Sequence, residues 1–169
     1  MTRLIWIVVV LVAAAALAFW ALSGGGSATG GRTDAEARQP SAAAEEAIEA
    51  YATFAERLQT GQPAPGPDVV VEGLRRLAAA LDALDVGGAE LPVDLRVAAE
   101  HVVLNPDAPA TTELVRDRMV AAATALDRRR EGDADLRPAA EAIDPAIPLE
   151  EQIDRVTRFL VQAAASLES

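Results

Sequence analysis

The sequence predicts an all-α protein: a single N-terminal transmembrane helix, a flexible Gly/Ser linker, then a small antiparallel bundle of four to five helices. Three observations carry this. Residues 4–22 are 19 consecutive apolar positions without a charge. Residues 23–40 are rich in Gly, Ser, Ala and Thr and have no apolar periodicity. Beyond them, apolar residues recur in alternating steps of three and four, which lines up one face of an α-helix. The expected organisation is an anchor over 1–22, a tether over 23–40 and an extracytoplasmic helical domain over 41–169.

At 1.5 Å rise per residue the apolar run extends about 28 Å, close to the roughly 30 Å hydrocarbon core of a bilayer. Signal-peptide apolar regions are shorter, about 7–15 residues. Trp6 and Trp20 stand near its two ends, where an indole ring favours the headgroup interface. Arg3 and the free amine flank the N-terminal side, and Arg32 follows only ten residues past Leu22. Arg3, Trp6 and Trp20 are therefore the expected membrane-interface residues, and the bilayer is the expected partner of residues 4–22. The charge bias places the N-terminus inside and the bulk of the chain extracytoplasmic. Ala16-Leu17-Ala18 and Ala21-Leu22-Ser23 keep an alternative open, a secreted periplasmic binding protein released by cleavage near Ala18 or Ser23. Both readings put the domain on the same side of the membrane.

In the first downstream helix, Ser41 is the expected N-cap and Ala44, Ile48, Tyr51, Ala55 and Leu58 the seam, closed by Gly61. The second starts at Asp68 as cap, runs Val70, Leu74, Leu77, Leu81 and Leu84, and stops at Gly87-Gly88. The third is short, from Pro92 to Leu104, with Asn105-Pro106 as its stop. The fourth follows Pro109 with Thr111 or Thr112 as cap, carries Val115, Met119, Ala122 and Leu126, and ends in Arg128-Arg129-Arg130. Cations there complement the helix dipole. A loop follows, with one short turn around residues 138–143. Pro148 opens the last helix, whose seam is Leu149, Ile153, Val156, Leu160, Ala163 and Leu167. Glu72–Arg76, Glu151–Arg155 and Asp154–Arg158 are spaced for i,i+4 ion pairs. Seams of two to three heptads joined by short turns describe one bundle more readily than a long coiled coil.

Composition narrows the function. Thirty-eight residues are Ala, the best helix former because fixing it costs no side-chain entropy. Only Tyr51, Phe54 and Phe159 are aromatic beyond the apolar run. Fourteen arginines and 26 acids follow that run, leaving the soluble part at −12. Such a surface repels nucleic-acid phosphates and anionic lipid. All 15 basic residues are Arg, which fits the codon usage of a GC-rich, bacterial genome. With no cysteine there is no disulfide, thiol nucleophile or Cys-based metal site.

Few residues invite chemistry. His101 is the only histidine, so a HExxH zinc site, which needs two, is excluded, and a lone His beside Val102 and Val103 reads as a surface or partly buried residue rather than as the base of a Ser-His-Asp arrangement. Glu45, Glu46 and Glu49 lack the Glu-x-x-His partners of a di-iron bundle and read as a solvated helix start. Gly132-Asp133-Ala134-Asp135 opens like a Ca²⁺ loop, but Arg137 takes the third ligand position and Asp144 the terminal one, so it reads as a turn. Gly24-Gly25-Gly26 and Gly30-Gly31 follow no strand and precede no Lys-Ser/Thr. Arg128–Arg130 reads as a helix-end cap. A carboxylate-only glycosidase would line its cleft with more than three aromatics.

The string Ala44-Glu45-Glu46-Ala47-Ile48-Glu49-Ala50-Tyr51 resembles one helix of a tetratricopeptide repeat. It covers one helix, and nothing returns at the roughly 34-residue period of such arrays, so it implies no family. The resulting expectation is a non-catalytic, membrane-anchored, single-pass interaction or scaffold domain, or accessory subunit, of an inner-membrane envelope complex. It expects no cofactor, metal or nucleic acid, and a protein partner that includes a second copy among the options.

Overall fold

The computed structural model describes residues 41–129 and 135–167. Among these residues the chain is all-helical, with six α-helices, one 3₁₀ turn and no strand. The apolar run over 4–22, the expected tether over 23–40 and the expected interface residues Arg3, Trp6 and Trp20 lie outside them. No helix among the described residues is long and apolar enough to cross a membrane.

Helix α1 spans Ala42–Gln59. Ser41 caps it as expected, its Oγ accepting the Ala44 N–H at 3.2 Å. The end is equally local. Gly61 takes φ +73°, which lets Gln62 N–H reach the Arg57 carbonyl at 2.9 Å and Gly61 N–H reach Leu58. Helix α2 spans Pro67–Ala83. Asp68 is not its cap: Gly66 holds the cap position without a side-chain bond, Pro67 fills the first turn, and Asp68 lies inside it. Nor do Gly87 and Gly88 make the stop. Asp85 adopts the left-handed conformation at φ +53°, and Val86 N–H closes on Leu81 at 2.9 Å, so the helix ends earlier than the glycines suggest.

Helix α3, Glu90–Leu104, starts two residues before Pro92, which is tolerated because first-turn N–H groups have no intrahelical acceptor. Helix α4, Pro109–Arg129, begins before both expected caps. Thr111 instead donates its hydroxyl to the Asn105 carbonyl at 2.7 Å, and Thr112 is fully buried. The short turn expected around 138–143 is α5, Arg137–Glu141. Pro148 does open the last segment, first as a 3₁₀ turn over Leu149–Gln152 and then as α6, Ile153–Leu167. Of the three i,i+4 pairs, Glu72–Arg76 forms at 2.7 Å. Glu151–Arg155 and Asp154–Arg158 are not ion pairs here. Arg155 reaches the Ala142 carbonyl at 3.0 Å and the Gln152 amide oxygen at 3.1 Å instead, contacts made available by the fold.

Helix α2 packs on α1, α3 and α6, while α6 also meets α1 and α4, and α4 meets α3 and α5. Being touched on three sides explains why α2 buries far more than its expected seam: Val69, Val71, Ala78 and Ala80 are buried besides Val70, Leu74, Leu77 and Leu81. The closest approach is at Gly73. A Cβ there would press on the Leu160 side chain and lie 3.2 Å from Phe54 Cε1, so any larger residue makes the Leu160 methyls move where α1, α2 and α6 meet. Beside it Tyr51, wholly buried, donates its hydroxyl to the Leu160 carbonyl at 2.8 Å. Burial alone pushes that phenol well above its ordinary range. Arg76 lies 5.4 Å over the Phe54 ring and donates to the Ala50 carbonyl at 2.8 Å, tying α2 to α1. Gln152 closes the loop before α6. Its amide accepts from Asp144 N–H at 2.7 Å and donates to the carbonyls of Asp144 and Ile147, both at 2.8 Å.

Candidate functional site

The residues singled out for chemistry stay apart. Glu45, Glu46 and Glu49 are exposed at the start of α1, and His101 is exposed on α3. No group of three or more His, Asp or Glu among the described residues is placed to hold a metal ion. Asp135 makes a local turn, its carboxylate accepting Arg137 N–H at 3.0 Å, while Gly132, Asp133 and Ala134 lie outside the described residues. Arg128 and Arg129 sit exposed in the last turn of α4, and Arg130 lies outside.

What the structure does assemble is an apolar face. Among the described residues the large exposed apolar side chains are Val93 (52% exposed), Val97 (46%), Val103 (55%) and Leu104 (72%), and all four belong to α3. At about 100° per residue, Val93, Val97 and Leu104 fall within about 40° of one another, forming a stripe roughly 16 Å long. Val103 borders it. The opposite side of α3 is core: Leu91, Pro92, Leu95, Ala98, Ala99 and Val102 are buried. Helix α3 is thus apolar on two sides and covered on one; among the described residues the helices it packs on at any length are its neighbours α2 and α4.

Ion pairs fence the stripe. Arg96 meets Asp82 at 2.8 Å and Glu100 pairs with Arg75, both reaching to α2. Asp94 meets Arg118 of α4 at 3.2 Å. Beside Val93, where α3 starts, a groove of about 350 Å³ runs between α3 and α4, lined by Glu90, Leu91, Asp94, Ala121, Ala125 and Arg128 among others. Gly87 forms its base. Its φ of +81° is strained for any residue with a side chain, and a Cβ there would press on the Leu91 side chain and lie 3.3 Å from the Ala125 methyl. A flat apolar strip with a polar border and an adjoining small-residue groove is suited to burying another apolar surface. No protein family, curated protein or solved structure was found to match this chain.

Sequence reasoning passed over this face because α3 has no clean single seam. The signal was nonetheless present. Leu91, Leu95 and Val102 fall on one side of the helix and Val93, Val97 and Leu104 on the opposite side, and a helix with two apolar sides needs cover on both.

Proposed function

We propose that this chain is a membrane-anchored, extracytoplasmic helical interaction domain, a non-catalytic scaffold or accessory subunit of an envelope complex. In this reading residues 1–22 span the inner (plasma) membrane once, residues 23–40 tether, and an antiparallel bundle over 41–169 presents the outer face of α3 to a partner. The observation that supports it is the concentration of large exposed apolar side chains on that one helix. Solvating such a face costs free energy that a partner recovers, at about 25 cal/mol per Å² removed from water.

The sequence has no cysteine, so one introduced thiol gives an unambiguous probe. With Val97→Cys in the full chain, a thiol-reactive crosslinker applied to cells is expected to yield a discrete heavier adduct. Glu56→Cys, on the exposed side of α1, is expected to yield none. Equal yields at the two positions, or none at 97, would sink the interaction reading. The topology has its own test: a phosphatase active only outside the cytoplasm, fused after Ser169, is expected to be active. The alternative, release by cleavage near Ala18 or Ser23, predicts a mature protein in the soluble fraction that begins after one of those residues.

A further inference from the structure

We propose that the occupant of the α3 face is an amphipathic helix of a partner protein, with Arg or Lys bordering its apolar edge. This rests on reading α3 as a docking surface and adds what must sit there. Shape argues for a helix. Val93, Val97 and Leu104 are spaced over about three turns, the arrangement that receives i, i+4 and i+7 anchors of a docked helix. Beside them Ala121 and Ala125 keep the α3–α4 groove shallow in side chains, which lets a further helix approach at an ordinary interaxial distance of about 8–10 Å.

Charge argues for a basic border. Glu90 at the start of α3 and Asp107 in the loop after it are exposed and have no ion-pair partner among the described residues. Arg75, Arg96 and Arg118, which stand between those ends, are each tied to a carboxylate. Arg128, on the α4 wall of the groove, is the lining cation that is in no ion pair among the described residues. The paired carboxylates of Asp82, Asp94 and Glu100 remain 56%, 40% and 59% exposed, so each can share a further cation. The net −12 that follows from the sequence beyond residue 22 draws a cationic partner and opposes both a second copy and an anionic lipid surface.

The test uses the full chain in phosphatidylcholine nanodiscs and two labelled synthetic helices, identical in their Leu positions. One carries Arg on the flanks and the other Glu. Fluorescence anisotropy is expected to show the Arg helix binding at least roughly tenfold more tightly, with the gap closing as salt rises from about 50 to about 500 mM. Val97→Glu is expected to weaken the Arg helix by more than roughly tenfold while leaving the far-UV spectrum and melting curve intact. Glu90→Arg combined with Asp107→Arg is expected to shift the preference towards the Glu helix.

Equal binding of the two helices, or binding untouched by Val97→Glu, overturns the proposal. So does absence of binding by either. If Val97→Cys chains instead form a disulfide with each other, a second copy is the occupant. That overturns the basic-helix proposal but leaves the docking reading standing. Failure of the docking reading itself is recognised separately, by absence of any crosslink at position 97 in cells.

Discussion

The junction of α1, α2 and α6 and the outer face of α3 are both built from large apolar side chains and end in opposite states. At the junction every large side chain is sealed: Tyr51, Phe54, Leu74, Phe159 and Leu160 are at most 1% exposed. The one buried phenol has its acceptor, and the contact is closed by a glycine. On α3, valines and a leucine at similar helical spacing stand about half exposed or more. The difference lies in neighbours. Helix α2 has three packing partners and α6 has several, whereas α3 is flanked on two sides and open on the third. Apolar periodicity therefore says which side chains want cover, and topology says which receive it.

This contrast can be broken from the sealed side first. Phe54→Ala is expected to cost about 3–5 kcal/mol, since it opens a cavity between α1 and α2 and removes the ring under Arg76. Chemical denaturation of the full chain in detergent measures it. Gly73→Ala is expected to cost about 1–2 kcal/mol net. The steric demand on Leu160 and Phe54 outweighs the roughly 1 kcal/mol that alanine gains in helix propensity. A stabilised variant would show that the three helices are less closely held than described.

Tyr51→Phe is expected to cost about 0.5–1.5 kcal/mol near neutral pH through loss of the bond to the Leu160 carbonyl. It also carries a pH signature. Burial raises the folded phenol above its unfolded value of about 10, so the folded state keeps a proton that the unfolded state releases. Its contribution is whole below about pH 10 and falls above it by at most about 1.4 kcal/mol per pH unit. The Phe variant should lose that part of the alkaline destabilisation, read from denaturation curves at a series of pH values.

The smallest effect belongs to the open side. Val93→Ser with Val97→Ser is expected to move stability by no more than about 0.5 kcal/mol per site, because both side chains are already about half exposed to water. A loss of several kcal/mol would mean that this face is covered by the chain itself and would erase the contrast.

Legibility followed the range of the interactions. The seams of α1, α4 and α6 read largely directly, because the spacing fixes the buried face, although Phe54 and Phe159 lie in the core beside the seam residues and Ile48 is only partly buried. Ser41 and Gly61 read as well, since a cap and a left-handed stop involve only residues within a turn. Errors arose where a local signal had competitors. Asp85 took the left-handed position ahead of Gly87, and Thr111 turned to the Asn105 carbonyl instead of capping α4. Arg155 left Glu151 for backbone and amide acceptors delivered by the loop before α6. The interhelix pairs Arg75–Glu100, Arg96–Asp82 and Arg118–Asp94 have no sequence signature. The exposed face was half legible: the pattern of α3 puts apolar residues on two opposite sides, but which side stays bare depends on where α2 and α4 lie.

By itself the sequence determined that the described chain is helical, roughly where each helix sits, and which side chains need burial, because propensity, capping and periodicity act within a few residues. Only the tertiary structure decided that Gly73 faces Leu160 and Phe54 at close range, that Tyr51 finds its acceptor on α6, and that α3 keeps one apolar side exposed. Those outcomes depend on which helices meet, and that is set by packing the whole chain at once.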